Sequence, residues 1–182
     1  MSLVNFVLMC LYLMIPGAVA NMMPLFARKI PFLDYPIDFN IKIKDKPLFG
    51  RNKTFRGFFF GVLGAIVIAY IMKLLYVYPF IQSISFIDFT QVHWVYFGFM
   101  IGMGVLVGDA VESAVKRRLN IGPGEPFFPW DQLDLLIGGV VFISLIKLPT
   151  WQMLVFYFVA VPLVHIGLRH LAYYLKITKE KW

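Results

Sequence analysis

From Met1 to Ala27 the chain carries no charged side chain. A helix needs about 20 apolar residues to cross a bilayer, so this run is long enough to span one. Its cations follow the apolar stretch instead of preceding it, which argues for a retained first helix and against a secretory leader. Pro16-Gly17 is expected to kink that helix, and Asn21 with Pro24 to open some backbone near its end. The rest of the chain continues in kind: 60% of the 182 residues are hydrophobic and mean hydropathy is +0.76, more than one soluble core needs.

The expected architecture is an all-α integral membrane protein with about five transmembrane helices, forming a single membrane-embedded domain over residues 1–182. The helices are expected at about 3–27, 57–81, 94–117, 131–148 and 151–175. The fourth is the least obvious. Leu135 to Leu148 is too short to cross comfortably unless its helix starts near Asp131, which puts Asp131 and Asp134 in the first turn. Gly57, Gly61 and Gly64, and again Gly98, Gly102, Gly104 and Gly108, suit close approach of neighbouring helices. Lys73 can snorkel toward the interface marked by Tyr76 and Tyr78. Cys10 is the single cysteine, which excludes an intrachain disulfide and a cysteine-built metal site.

Charge gives the orientation. Five crossings with the amino terminus outside place 15 of the 17 Lys and Arg on the cytoplasmic side, in the loop 28–56, at Lys116 to Arg118 where the third helix meets the loop 118–130, and at the carboxyl terminus. The formal net charge of +7 is therefore spread over loops between apolar spans. That distribution points to anionic lipid headgroups or a phosphorylated substrate as partners, and away from nucleic acid.

Two polar segments fall on that same side. Lys46 to Gly57 reads KPLFGRNKTFRG, in which Asn52, Lys53, Thr54 and Arg56 stand just before an apolar span. Such a segment can turn backbone N–H groups, a hydroxyl and two or three cations toward one anion where a helix begins, or it can simply anchor the second helix. Gly108 to Asp134 holds five of the ten carboxylates. Asp109, Glu112, Ser113 and Lys116 follow at i, i+3, i+4 and i+7, which places them on one helical face, with Arg117 beside them and Arg118 turned toward lipid headgroups. Asp131 and Asp134 share a face at the start of the fourth helix. Two helices thus present Asp109, Glu112, Asp131 and Asp134 to each other, a hard-oxygen set without His or Cys that suits Mg2+. The alternative is a structural network in which Lys116 and Arg117 neutralise the acids. Phe127, Phe128 and Trp130 read as an interfacial anchor, with an apolar cover over a bound base as the alternative, and His165 as a buried, hydrogen-bonded side chain.

ESAVKRR (Glu112 to Arg118) followed by DQLD (Asp131 to Asp134) resembles the signature of the CDP-diacylglycerol synthases, membrane cytidylyltransferases with S-x-x-K-R, a loop, then D-R-x-D. NKTFRG (Asn52 to Gly57) is similar to their second motif, a K-T pair ahead of a glycine. The chain lacks the Lys-Asp pair after S-x-x-K-R, has GEPFFPWDQLD in place of a His-Gly-Gly loop, and has about five crossings. Those departures resemble the archaeal branch, which acts on isoprenoid diether glycerol phosphates, and the likeness runs over nearly the whole chain.

The resemblance implies transfer of CMP from CTP to 2,3-bis-(O-geranylgeranyl)-sn-glycerol 1-phosphate with Mg2+, releasing pyrophosphate. It implies Asp109, Asp131 and Asp134 as metal-binding acids with Glu112 as a fourth. It also implies Asn52, Lys53, Thr54, Arg56, Ser113, Lys116, Arg117 and Arg118 around CTP and lipid phosphate, Lys116 among the catalytic groups. Ester phosphatidate is the alternative substrate. A CDP-alcohol phosphotransferase would need D-G-x-x-A-R and G-x-x-x-D-x-x-x-D, which are absent. A transporter or ion-binding protein would need polar groups continuing through the bilayer, and here they gather at one side.

Overall fold

The computed structural model describes residues 1–123 and 125–174, with side chains as far as Leu163. The side chains of His165 and Arg169, and the residues Lys176, Lys179 and Lys181, lie outside that description. Helix α1 runs Leu3–Phe26, capped by the Ser2 hydroxyl accepting from the Asn5 N–H, and it tightens into a 3-10 turn at Ala27–Lys29. Helix α2 is Phe55–Leu75, a short α3 is Pro79–Ser83, and α4 is Trp94–Arg118. Helix α5, Trp130–Ile143, and α6, Trp151–Tyr174, complete the bundle. Leu3–Lys29, Phe55–Leu75 and Trp94–Arg118 are long and apolar enough to cross a membrane. Leu63, Val67, Tyr70, Ile71 and Leu74 of α2 lie exposed on its outer face, as lipid-facing residues do.

Two helices end earlier than the sequence suggests. The second stops at Leu75, because Pro79 disfavours helical backbone at Tyr78 and restarts the chain as α3. The fourth stops at Ile143 and not at 148. There the chain closes into tight turns, with Leu145 N–H on Phe142 C=O and Ile146 N–H on Ile143 C=O, and Pro149 follows. At about 1.5 Å per residue α5 is only ~21 Å long, shorter than the ~30 Å hydrocarbon core.

Helix α4 is the central post, packed against α1, α2 and α5. A Cβ on Gly98 would lie 2.6 Å from the Ile66 Cα of α2, and one on Gly104 would lie 2.6 Å from the Gly138 carbonyl of α5. The α4–α5 pair therefore meets backbone to backbone, and this brings the first turn of α5 against the last turns of α4. The apolar core occupies the opposite half of the bundle, around Cys10, Phe97, Ile143, Met153 and Tyr157, with the Tyr157 hydroxyl donating to the Cys10 carbonyl at 3.1 Å.

Residues 30–54 form a structured cap and not a plain loop. Strands β1 (Lys42–Ile43) and β2 (Lys46–Pro47) pair antiparallel, and both turn residues, Lys44 and Asp45, have positive φ (50° and 64°), as a two-residue hairpin turn of the I′ kind requires. Arg118 at the end of α4 pins this hairpin, donating to the Ile43 carbonyl at 2.7 Å and the Pro47 carbonyl at 2.5 Å. Asp38, 3% exposed, is the hub of the cap. Its carboxylate accepts from the N–H groups of Asn40, Phe49 and Gly50 at 3.0, 2.9 and 3.1 Å. Burial works to raise its pKa, but the three amides outweigh burial and hold it below the usual carboxylate range.

Candidate functional site

The helical spacing of the acids is realised in space. Asp109, Glu112 and Asp134 each offer a carboxylate oxygen within 4.8 Å of the others. Two come from α4 and one from α5, and the close approach at Gly108 and Gly138 is what lets them converge. Among the described residues Asp134 spends only one bond, accepting from the N–H of its own neighbour Leu135 at 2.7 Å. Three carboxylates so close repel one another, and oxygen-only donors at that spacing fit a hard divalent cation.

Asp131 is used differently. It accepts from Lys116 Nζ at 2.8 Å and from the Phe127 N–H at 2.5 Å, so it fixes the lysine and the loop that leads into α5. Lys116, itself buried, also sits 3.2 Å from Glu112 Oε1. That contact is close enough for an ion pair but misaligned for a hydrogen bond, and among the described residues Glu112 Oε1 has no hydrogen-bond donor. Lys53 reaches across from the cap to Asp109 at 2.5 Å, so the basic segment and the acidic stretch form one site.

The remaining residues of the KTFRG segment take up structural duties. The Thr54 hydroxyl caps α2 by accepting from the Gly57 N–H at 3.1 Å. The Phe55 N–H goes to the Tyr35 carbonyl and the Arg56 N–H to the Leu33 carbonyl, both at 2.9 Å. The first-turn amides that the sequence suggests for an anion are therefore consumed by the strand-like return of residues 33–37. Buried Arg56 pairs with Asp34 at 2.8 Å and donates to the Ile30 carbonyl at 2.6 Å. Arg118, expected among lipid headgroups, holds the hairpin. Arg117 donates to the Ile121 carbonyl, while its Nε is buried without a partner among the described residues.

Three cavities meet at this point, and Asp109 lines all of them. The largest, about 920 Å³, lies between the cap and the end of α4, with Lys46, Asn52, Lys53, Ser113, Lys116 and Arg117 on its walls. A second of about 310 Å³ lies among Asn21, Pro24, Arg28, Arg51, Thr54 and Arg56. The third, about 520 Å³, is an apolar groove between α1, α4, α5 and α6. It begins at Asp109, Asp131 and Asp134 and continues past Leu135, Gly139, Val140 and Ile143 to Tyr157 and Val161. Phe127, Phe128 and Trp130 line none of the three.

Sequence reasoning missed Asp38, Phe49, Asn120 and Gln132, all of which line these cavities. The first three sit in segments whose fold depends on contacts distant in sequence. Gln132 was in plain view inside DQLD.

Residues 3–182 match the CarS-like family model, CDP-archaeol synthase. The chain is similar to the CDP-archaeol synthase of Pyrobaculum islandicum, at 32% identity over 92% of this chain and 93% of that one. It is also similar to that of Pyrococcus furiosus, at 35% over 81% and 83%. A solved structure described as an intramembrane enzyme for archaeal membrane lipids biosynthesis superposes with a TM-score of 0.68, 28% identity, and coverage of 86% of this chain and 90% of that one.

Proposed function

The chain belongs to the CDP-archaeol synthase family, and on that premise we propose that it transfers CMP from CTP to 2,3-bis-(O-geranylgeranyl)-sn-glycerol 1-phosphate. The observation that carries this reading is the meeting of a cation-walled cavity and an apolar groove at one carboxylate, Asp109. A polar nucleotide and a membrane lipid need opposite surroundings, and here two such surroundings open onto the same few ångströms.

In this reading CTP occupies the 920 Å³ cavity, within the usual size of a ligand pocket. Lys53, Lys116 and Arg117 face its phosphates, with Asn52 and the Ser113 hydroxyl beside them. Thr54 and Arg56 contribute by shaping the wall. The lipid lays a chain along the groove and brings its phosphate to the acids. One oxygen of that phosphate attacks the α-phosphorus of CTP, the bond from the α-phosphorus to the oxygen bridging to the β-phosphate breaks, and pyrophosphate leaves with the electron pair. The attacking phosphate is already anionic near neutral pH, its second pKa being about 6, so no side chain has to remove a proton. The protein's work is to orient both phosphates and offset the charge that builds between them.

Asp109, Glu112 and Asp134 would hold Mg2+, with Asp131 steadying Lys116 beside it. When bound, the ion supplies charge neutralisation for the phosphates as a Lewis acid. The excess of cations at this end of the bundle supports a cytoplasmic site, where CTP is made.

The test is transfer of labelled CMP from CTP to the diether phosphate by purified protein with Mg2+, comparing wild type with Asp134→Asn. Product that requires Mg2+ and falls at least about 100-fold in a folded variant supports both the reaction and the metal set. Absence of product with diether and diacyl phosphates alike would overturn the reaction. Equal product from both proteins would overturn the metal set.

A further inference from the structure

Of the three cavities that meet at Asp109, the reaction above fills two, the largest with the nucleotide and the groove with the lipid chains. These are also the seats of the two halves of the product. The cavity of about 310 Å³ is left over, and helix packing sets where it lies. Helix α1 rests on α4 where Gly17 faces Ile101 and Val105. On one side of that contact α2 meets α4 at Gly98 and Gly102, and on the other α5 meets it at Gly104 and Gly108. The groove runs along the α5 flank and the small cavity along the α2 flank, and both reach Asn21 and Asp109.

Charge gives the class of ligand. Arg28, Arg51, Lys53 and Arg56 stand on the walls of the small cavity against two acids, Asp34 and Asp109. Arg56 is matched by Asp34 and Lys53 by Asp109, while neither Arg28 nor Arg51 is in an ion pair among the described residues. Pro24, Leu25, Phe58 and Leu106 complete the lining, and low-dielectric walls beside cations of one sign concentrate their field. The first-turn amides of α2 take no part, since the carbonyls of Tyr35 and Leu33 and the Thr54 hydroxyl already hold them. A surplus of two cations in a cavity at the lower end of the ligand-pocket range of about 300–1,000 Å³ suits a small, multiply charged phosphate anion.

The direction of the reaction selects which anion. An oxygen that attacks the α-phosphorus from the groove expels the leaving group on the far side of that phosphorus, and across the α1–α4 contact from the groove lies the small cavity. Arg51, Asn52 and Lys53 line both this cavity and the nucleotide cavity, so a departing anion meets one continuous basic wall. We propose that the small cavity is the release site for pyrophosphate and that Arg28, in the turn that ends α1, holds the anion there. The inference rests on the proposed reaction. The bond from the α-phosphorus to the bridging oxygen breaks, the electron pair leaves on pyrophosphate, and no proton has to move. Pyrophosphate can then depart while both halves of the new lipid stay seated.

Arg28 is exposed and lines none of the other cavities at Asp109, which makes it the clean probe. The experiment compares wild type, Arg28→Gln and Lys29→Gln in detergent, Lys29 being an exposed cation next in sequence that lines none of the three cavities. Pyrophosphate and the diether phosphate are each titrated in metal-free buffer, and affinity is read from the rise in melting temperature above each protein's own ligand-free value. The KM for CTP is read from CMP transfer. Arg28→Gln should bind pyrophosphate about tenfold more weakly, the loss of one charge-assisted hydrogen bond at an exposed position. Its affinity for the diether phosphate and its KM for CTP should stay near wild type, and Lys29→Gln should match wild type throughout. Unchanged pyrophosphate affinity in Arg28→Gln would overturn the proposal, as would a wild type whose melting ignores pyrophosphate. An equal loss in Lys29→Gln would reduce the effect to general surface charge and overturn it too. A loss that falls equally on the diether phosphate would make the cavity a lipid headgroup seat, and one that falls equally on CTP would make it part of the nucleotide site; either result sinks the release site. If wild type forms no CDP-lipid, the proposed reaction fails, while the two titrations still decide whether Arg28 holds a free phosphate anion.

Discussion

At the His93 end of α4 a lone, solvent-exposed carboxylate is held by its own turn through one oxygen, Oδ1. Asp88 accepts from the Thr90 N–H at 2.9 Å, the Thr90 hydroxyl at 2.7 Å and the Tyr76 hydroxyl at 3.2 Å. Lys147 nearby donates to the Phe86 carbonyl at 2.9 Å and lies 4.6 Å from the centre of that ring. At the Arg118 end four carboxylates face two lysines. Lys53 goes to Asp109, Lys116 is shared by Asp131 and Glu112, and among the described residues Glu112 Oε1 has no hydrogen-bond donor and Asp134 has only its own neighbour's N–H. One end closes its polar groups on each other, as a structural turn should. The other keeps a surplus of oxygen ligands where burial makes that surplus costly, which is the condition of a site completed by something else.

The sharpest way to break this contrast is to neutralise one acid at each end. Asp109→Asn should lower CMP transfer by about 100-fold or more, since Asp109 borders every cavity of the site. Asp88→Ala should lower the melting temperature yet leave kcat per folded molecule near wild type. Initial rates normalised to folded protein check both. Comparable losses of kcat at the two ends would erase the distinction.

Next in size is the joint that brings the acids together. A Cβ on Gly138 would run into the backbone of Gly104 and Gly108, so Gly138→Leu must push α5 away from α4. Overpacking of this sort costs about 1–3 kcal/mol or more, and it separates Asp134 from Asp109 and Glu112. Activity should fall further than a melting curve alone accounts for. A variant that melts earlier but keeps full activity would show that the acids need not converge.

The acidic face of the site was legible because a single helix fixes it. Asp109, Glu112, Ser113 and Lys116 share a side by the 3.6-residue period alone, and the order of apolar runs makes α4 and α5 neighbours. The cap was not legible in the same way. Nothing local to Asp38 says that it will gather amides from Phe49 and Gly50, and positive φ at Lys44 and Asp45 contradicts their ordinary preference. The KTFRG segment shows the same limit. Its residue types suit an anion site, yet the carbonyls of Leu33 and Tyr35, some 20 residues upstream, claim its amides. Helix ends failed for a third reason, since hydropathy runs on through 144–148 after hydrogen bonding has turned the chain.

Smaller still should be the effect of loosening that cap. Asp38→Asn retains size but gives up the charge that three amides favour, and a hydrogen bond to a charged group is worth about 1.5–3 kcal/mol. Because the folded pKa of Asp38 lies below its unfolded value of about 3.9, its contribution is fully present above that value and disappears as pH falls through the folded pKa. Hydrogen exchange at Phe49 and Gly50, corrected for the intrinsic pH dependence of exchange, should lose protection in wild type only in acid and in Asp38→Asn already at neutral pH. Protection that is the same in both proteins at pH 7 would remove Asp38 as the hub.

The smallest effect belongs to the closed end. Lys147→Met keeps the stem of the side chain against Phe86 and deletes the ammonium, removing one hydrogen bond to a carbonyl and one cation–ring contact. At an exposed position these together are worth about 1 kcal/mol, so the melting temperature should drop by a few degrees, in line with about 2–4 °C per kcal/mol for a chain of this size. CMP transfer and its Mg2+ dependence should not move, because this lysine sits at the His93 end of α4 while the acids of the site gather at its Arg118 end. A change in the Mg2+ dependence of Lys147→Met would mean that the two ends of α4 are coupled, and the closed end would then be part of the machinery it was contrasted with.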